Sequence, residues 1–162
     1  MDLAVRVKII IQKILYITIA TVDKKGQPWN SPVYSAFDTH YNFYWNSWKE
    51  NQHSKNIAAN PKIFIALYDS TVAEGTWEGV YIQAKAHMLT DEKEIEFARS
   101  LLEKRKSKPS SKLRSSKEFM GKYPRRVYKA VPEKFWMNGD GNISGNYIDI
   151  RQKVDLFAKE HR

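Results

Sequence analysis

Between Ile14 and Pro61 the sequence reads strand, tight turn, strand, turn, strand and short helix, and this order limits the fold more than any other feature. Ile14–Val22 is apolar and β-branched over the length of one strand. Asp23-Lys24-Lys25-Gly26 supplies a turn, with Gly26 free to take the positive φ that such turns demand. Gln27–Phe37 runs back as a second strand, and after Asp38-Thr39-His40 a third, Tyr41–Asn46, follows. His53–Pro61 then reads as a short helix that Pro61 closes.

The rest of the chain repeats this grammar. Asp2–Lys13 can open as a helix whose Leu3, Val7, Ile10, Ile11 and Ile14, at three- and four-residue steps, would cover an open end of a barrel. Lys62–Asp69 is a fourth strand, Ser70–Thr76 a loop, and Glu78–Leu89 a fifth strand with Val80, Ile82, Ala84 and Ala86 on one face. Asp91, with Glu94 three residues on, starts a helix with a buried stripe of Ile95, Ala98, Leu101 and Leu102. Lys104-Arg105-Lys106 complements its dipole at the far end. A polar loop, Lys106–Lys112, and a short helix near Ser115–Lys122 precede a sixth strand, Arg126–Pro132, continued by Glu133–Met137. Gly139–Asn142 reads as a turn or loop and Tyr147–Ile150 as a candidate last strand, after which the tail can be helical.

Six or so short strands with helices between some of them predict a mainly β fold, an antiparallel barrel with peripheral helices. A single domain over 1–162 is expected: a helix over 1–13, a barrel over 14–138 carrying a basic loop at 104–126, and an extension over 139–162. The chain has no cysteine, so thiolate metal sites and cysteine nucleophiles are excluded. Its four histidines show no metal-ligand spacing, no serine sits in a nucleophile elbow, and there is no P-loop or dinucleotide fingerprint. The apolar stretch around Ile9–Val22 is too short and polar to span a membrane, and no cleavage site follows it, so the chain reads as cytoplasmic. The net charge of +9 is local: Lys104–Lys129 holds eleven Lys or Arg against one acid, Glu118, and the remainder is close to neutral. This argues against the fold itself as a nucleic-acid binder.

The pattern Ile19-Ala20-Thr21-Val22-x-x-x-Gly26-x-Pro28-x-x-Ser31-Pro32-Val33 resembles the opening of the pyridoxamine 5′-phosphate oxidase-like, FMN-binding split-barrel family. Asn56-Ile57-x-x-Asn60-Pro61, Ile82-Gln83-Ala84-Lys85-Ala86 and Val131-Pro132-Glu133-Lys134-Phe135-Trp136 are similar to its later signatures, in the same order. The resemblance spans roughly Leu15 to Trp136. It implies a homodimer with two FMN molecules at the subunit interface and oxidoreductase chemistry on an unidentified small molecule.

On matching positions, Asn30, Ser31, Pro32 and Val33 would line the flavin ring, largely through main-chain groups. Trp45, Asn46 and Ser47 would lie along the ribityl chain and phosphate. His53, Ser54 and Lys55 would hold the phosphate, and Trp136 would pack near the cofactor, of the partner subunit in one arrangement. A helix start beside a hydroxyl and an ammonium offers what a phosphate needs. Counting back from Ile57, His53 stands where the family usually has lysine, and Ala84 replaces a common glycine. Three alternatives stay open: a deazaflavin ligand, a haem-type ligand, or a non-catalytic module that uses its basic segment for a partner. Trp29, Trp45 and Trp48 also fit as core or interface residues, and Ser54 and Lys55 as an ordinary cap and a solvated lysine.

Overall fold

The computed structural model describes residues 1–108, 114–143 and 146–158. The elements are α1 (Leu3–Lys13), β1 (Tyr16–Val22), β2 (Pro28–Phe37), β3 (Phe43–Trp48), α2 (Gln52–Ala59), β4 (Lys62–Tyr68), β5 (Gly79–Met88), α3 (Glu92–Lys104), a 3-10 turn (Ser116–Phe119), β6 (Arg125–Ile143) and β7 (Asn146–Val154). The sheet order is β3-β2-β1-β4-β5-β6-β7, and a further pairing of β3 with β6 closes the first six strands into an antiparallel barrel. Among the described residues, β7 alone stands outside that ring, as a hairpin partner of β6.

Local chemistry accounts for most of these elements. Asp23 closes the β1–β2 turn by accepting from the Lys25 and Gln27 N–H groups at 2.7 and 2.9 Å, while Gly26 takes φ +85°. Asp2 and Asp91 cap α1 and α3 through Ala4 N and Glu94 N. Alternate residues of β1, β4 and β5 point inward: Ile17, Ile19, Ile63, Ile65, Leu67, Val80, Ile82, Ala84 and Ala86 form the barrel core with Trp45 and Met137. α1 adds Val7 and Ile11, both wholly buried, with Leu3, Ile10 and Ile14 packed against them, as the helical spacing predicts. A second cluster lies outside the barrel wall, where Ile95 and Ala98 of α3 pack on Tyr44 and Val127 with Leu89 and Phe119.

Two expectations need correction. Gly139–Asn142 is not a turn: it lies within β6, where Gly139 pairs with Ile150 and Asp140 with Asp149. The composition favours a turn, but a long two-stranded ribbon with β7 decides the conformation. The tail over 155–158 is not helical, and the last four residues lie outside the described ones, as does most of the expected loop at 106–112. β6 also carries a β-bulge, with Gln83 opposite Lys134 and Ala84 opposite Pro132. Pro132 has no N–H to give the ladder, and a bulge tolerates that loss.

Candidate functional site

The strands β2 and β3 part company halfway along. They pair only over Ser35–Phe37 against Phe43–Trp45. From Tyr34 back to Pro28, β2 pairs with β1 alone, and from Asn46 to Trp48, β3 pairs with β6. This parting leaves the β3-facing edge of Asn30–Val33 without a strand partner among the described residues. Backbone polar groups on such an edge need partners from side chains, solvent or a ligand.

One side chain bridges the gap. His53, in the first turn of α2, places Nε2 at 2.6 Å from Ser47 Oγ of β3 and Nδ1 at 3.1 Å from Ser31 Oγ of β2. Trp29 Nε1 donates to Ser31 Oγ at 3.1 Å, and Asn51 Nδ2 donates to Ser47 Oγ at 2.9 Å. Burial pulls the His53 pKa below its ordinary value, which favours the neutral imidazole at neutral pH. A neutral ring donates at one nitrogen and accepts at the other, so either tautomer satisfies both contacts.

The buried face of α2 is thus polar. Asn56 Nδ2 donates to Thr21 Oγ1 of β1 at 3.0 Å, and Gln52 Nε2 donates to Asn56 Oδ1 at 2.8 Å. Only Ile57 of this helix joins the barrel core. Asn51 occupies the N-cap position but makes no side-chain cap, because its amide is turned to Ser47. The first N–H groups of α2 therefore lack the usual side-chain acceptor.

The predicted site residues divide into two groups. Asn30, Pro32, Asn46 and Lys55 are exposed. Pro32 borders a cleft shared with Tyr16, Thr18, Ala66 and Tyr68. The side chains of Ser31, Val33, Trp45, Ser47, His53 and Ser54 face inward and are buried. Trp45 is wholly buried and stacks on Tyr128 at 5.7 Å between centroids, so its ring belongs to the core. Ser54 Oγ lies toward the Tyr128 phenol without closing a hydrogen bond of ordinary geometry, and Trp45 Nε1 is likewise unpaired. Ser54 and Lys55, adjacent in sequence, point to different sides and do not form one corner. Trp136 sits elsewhere, half-buried on the C-terminal half of β6 and stacked on Phe64 at 6.1 Å.

Sequence reasoning missed Asn51 and Gln52, ordinary polar residues in the string, and singled out Asn56 only as part of a signature, without its bond to Thr21. The basic segment is also quieter than its composition suggests. Lys106 pairs with Glu103, Arg114 with Glu118 and Lys129 with Glu94. Arg126 donates to the carbonyls of Gly121, Tyr123 and Arg125. Among the described residues no cluster of His, Asp or Glu could hold a metal ion, and no helix is long and apolar enough to cross a membrane.

The sequence profile described as pyridoxamine 5′-phosphate oxidase matches residues 5–139. Among solved structures, the chain is similar to a haem-binding protein from Mycobacterium smegmatis, with a TM-score of 0.68 and 16% identity over 93% of this chain and 58% of that one. It is similar to an FAD-binding protein from Mesorhizobium loti, with a TM-score of 0.61 and 18% identity over 83% and 92% of the two chains. It is also similar to an F420 reductase, with a TM-score of 0.59 and 19% identity over 79% and 94%. At such identities the likeness shows the fold, a split barrel. No curated protein gives a significant sequence match.

Proposed function

The chain belongs to the pyridoxamine 5′-phosphate oxidase family, and from that premise we propose that it binds FMN along the parted β2–β3 edge as a cytoplasmic, homodimeric oxidoreductase acting on a small molecule. The observation that carries this reading is the unpaired edge of Asn30–Val33 lying beside an uncapped helix start. The edge offers main-chain donors and acceptors to the polar rim of a flavin ring. The start of α2 offers free N–H groups and the positive end of the helix dipole to a phosphate. Lys55, exposed one turn on, adds a cation.

In this reading the phosphate is held by main-chain N–H groups and Lys55, not by the inward-facing Ser54 hydroxyl. In the same reading Asn46 and Asn30, both exposed, would orient the cofactor. When bound, the flavin supplies hydride or electron transfer, and the chain supplies orientation and exclusion of water. Leu15, Tyr16 and Tyr68 are exposed apolar residues around the cleft that Pro32 borders, a surface suited to a second copy of the chain. A second copy is also what would bring Trp136 to a cofactor.

Titration of the purified chain with FMN, followed by flavin fluorescence, tests the reading. We expect saturable quenching at one FMN per chain. Lys55→Ala should weaken FMN about tenfold and leave riboflavin, which lacks the phosphate, unchanged. A chain that ignores FMN but gives a haem spectrum with haemin would move the assignment to haem.

A further inference from the structure

On the outer face of the sheet a cleft of about 300 Å³ lies over β1, β2 and β4. Ile17 and Ile19 point into the barrel, so Tyr16, Thr18 and Ala20 point out of it. Thr18 stands opposite Pro32 on one side and Ala66 on the other, and these three short side chains make the floor. Tyr16 and Tyr68 lie two residues beyond Thr18 and Ala66 in the antiparallel pair, on the same face, and with Leu15 they make the wall. The other rings of this face are already occupied. Phe64 stacks on Trp136 with centroids at 6.1 Å, and the Arg151 guanidinium covers Tyr81 at 4.0 Å. Tyr16 meets Tyr34 edge to face at 5.7 Å, which fixes its ring from one side. Tyr16 and Tyr68 stay 62% and 50% exposed, so the cleft has aromatic surface to offer a ligand.

The charges around the cleft are already matched. Asp69 is the charged residue of the lining. Its carboxylate accepts from Thr71 N and Oγ1 at 2.9 and 2.6 Å and pairs with Lys13 Nζ at 2.7 Å. Arg105 reaches the nearby Ile14 carbonyl, but its Nη2 is engaged by three carbonyls. A phosphate or carboxylate in the cleft would lose water against tyrosine and leucine without gaining a cation. Thr18 supplies a directional contact on the floor. Its Oγ1 donates to Ala66 O at 3.1 Å, so toward a ligand it can only accept.

We propose that this cleft binds an uncharged, planar aromatic molecule with an N–H or O–H on one edge, its ring against Tyr16 and Tyr68 and its edge donor on Thr18 Oγ1. This deepens the flavin reading, because Pro32 belongs both to the cleft and to the edge assigned to the flavin ring. It rests on that reading for what becomes of the ligand, whereas recognition itself needs no flavin. A phosphorylated or carboxylated molecule is the wrong class for these residues. A second copy seated on Leu15, Tyr16 and Tyr68 would roof the cleft and enclose the ligand. The competing occupant of the floor is a side chain of that copy.

Calorimetric titration of the full chain at neutral pH, with and without FMN, tests this with three probes built on one bicyclic ring: 2-naphthol, 2-methoxynaphthalene and 2-naphthoate. We expect 2-naphthol to bind saturably at one per chain. Its methyl ether should bind about fivefold more weakly for want of the donor, and 2-naphthoate at least about tenfold more weakly. Thr18→Val should bring 2-naphthol down to the level of the methyl ether, and Tyr68→Ala should weaken both about tenfold. The ranking of the probes on the wild-type chain decides the matter even where a variant folds poorly. Naphthoate binding as tightly as naphthol, or naphthol affinity indifferent to both substitutions, overturns the proposal. So does a chain that takes FMN and no naphthol, the result expected where a second copy fills the floor, and it leaves the flavin reading intact. The expected ranking in a chain that ignores FMN upholds the cleft and removes the flavin reading. Failure of FMN and of every probe to bind removes both.

Discussion

Trp45→Ala should destabilise the folded chain by about 4 kcal/mol, read as a shift of the urea unfolding midpoint at constant slope. Trp45 is wholly buried in the barrel and stacks on Tyr128 with planes 13° apart. Truncation removes the largest buried side chain and leaves a cavity between β3 and β6, two strands whose pairing closes the barrel. The rigid ladder on both sides limits collapse into that space. Trp45→Phe should cost far less, because Phe keeps a stacking face and removes an indole N–H that is buried without a partner. Equal losses for the two variants would show that the ring's size and stacking are not what matters.

Arg105→Ala is the second large effect, about 3 kcal/mol. A single guanidinium nitrogen, Nη2, donates to the carbonyls of Ile11, Gln12 and Ile14 at 2.7, 3.0 and 2.7 Å. These are the last carbonyls of α1 and its C-cap, groups that a helix end leaves without partners. The guanidinium also lies 4.8 Å from the Phe37 ring centroid. Burial pulls the Arg105 pKa down, opposed by Tyr34, yet the group remains charged across the working pH range. Its removal frees α1, whose Val7 and Ile11 belong to the barrel core. Arg105→Lys should recover less than half of the loss, since one ammonium on a flexible stem cannot reproduce the planar group. Full rescue by lysine would reduce the effect to charge at a helix end.

Both variants mark the limits of reading the string. The strands from Tyr16 to Tyr68 were legible because β-branched runs alternate with turns whose Asp and Gly have mechanical reasons to be there. The helix starts at Asp2 and Asp91 were legible for the same reason. Arg105 was not: a basic run at the end of α3 suggests service to its own helix dipole, whereas its partners lie 91 to 94 residues away. The extent of β6 was hidden too, because pairing with β7 overrides the turn composition of Gly139–Asn142.

The candidate site was legible only in its neighbourhood: Ser31 of β2, Ser47 of β3 and His53 at the start of α2 come together, while Trp45 and Ser54 turn into the core. The phase of each element decides which side chains face out, and that phase is not local. His53, Ser54, Asn56 and Ile57 form the buried face of α2, three of them polar. A polar buried face carries no hydrophobic periodicity to announce it. Its partners, Ser31 at 22 residues and Thr21 at 35, exist only in the folded barrel. His53 in the place of a lysine reads from sequence as a phosphate contact. In the structure it is first a strut between two strands.

Hydrogen–deuterium exchange with and without FMN tests most directly whether the parted β2–β3 edge and the start of α2 receive the flavin. Amides over 29–34 and 46–56 should become protected on FMN addition, with the β6–β7 ribbon unchanged. Protection confined to the ribbon or to α3, with those two stretches unaffected, would contradict that placement.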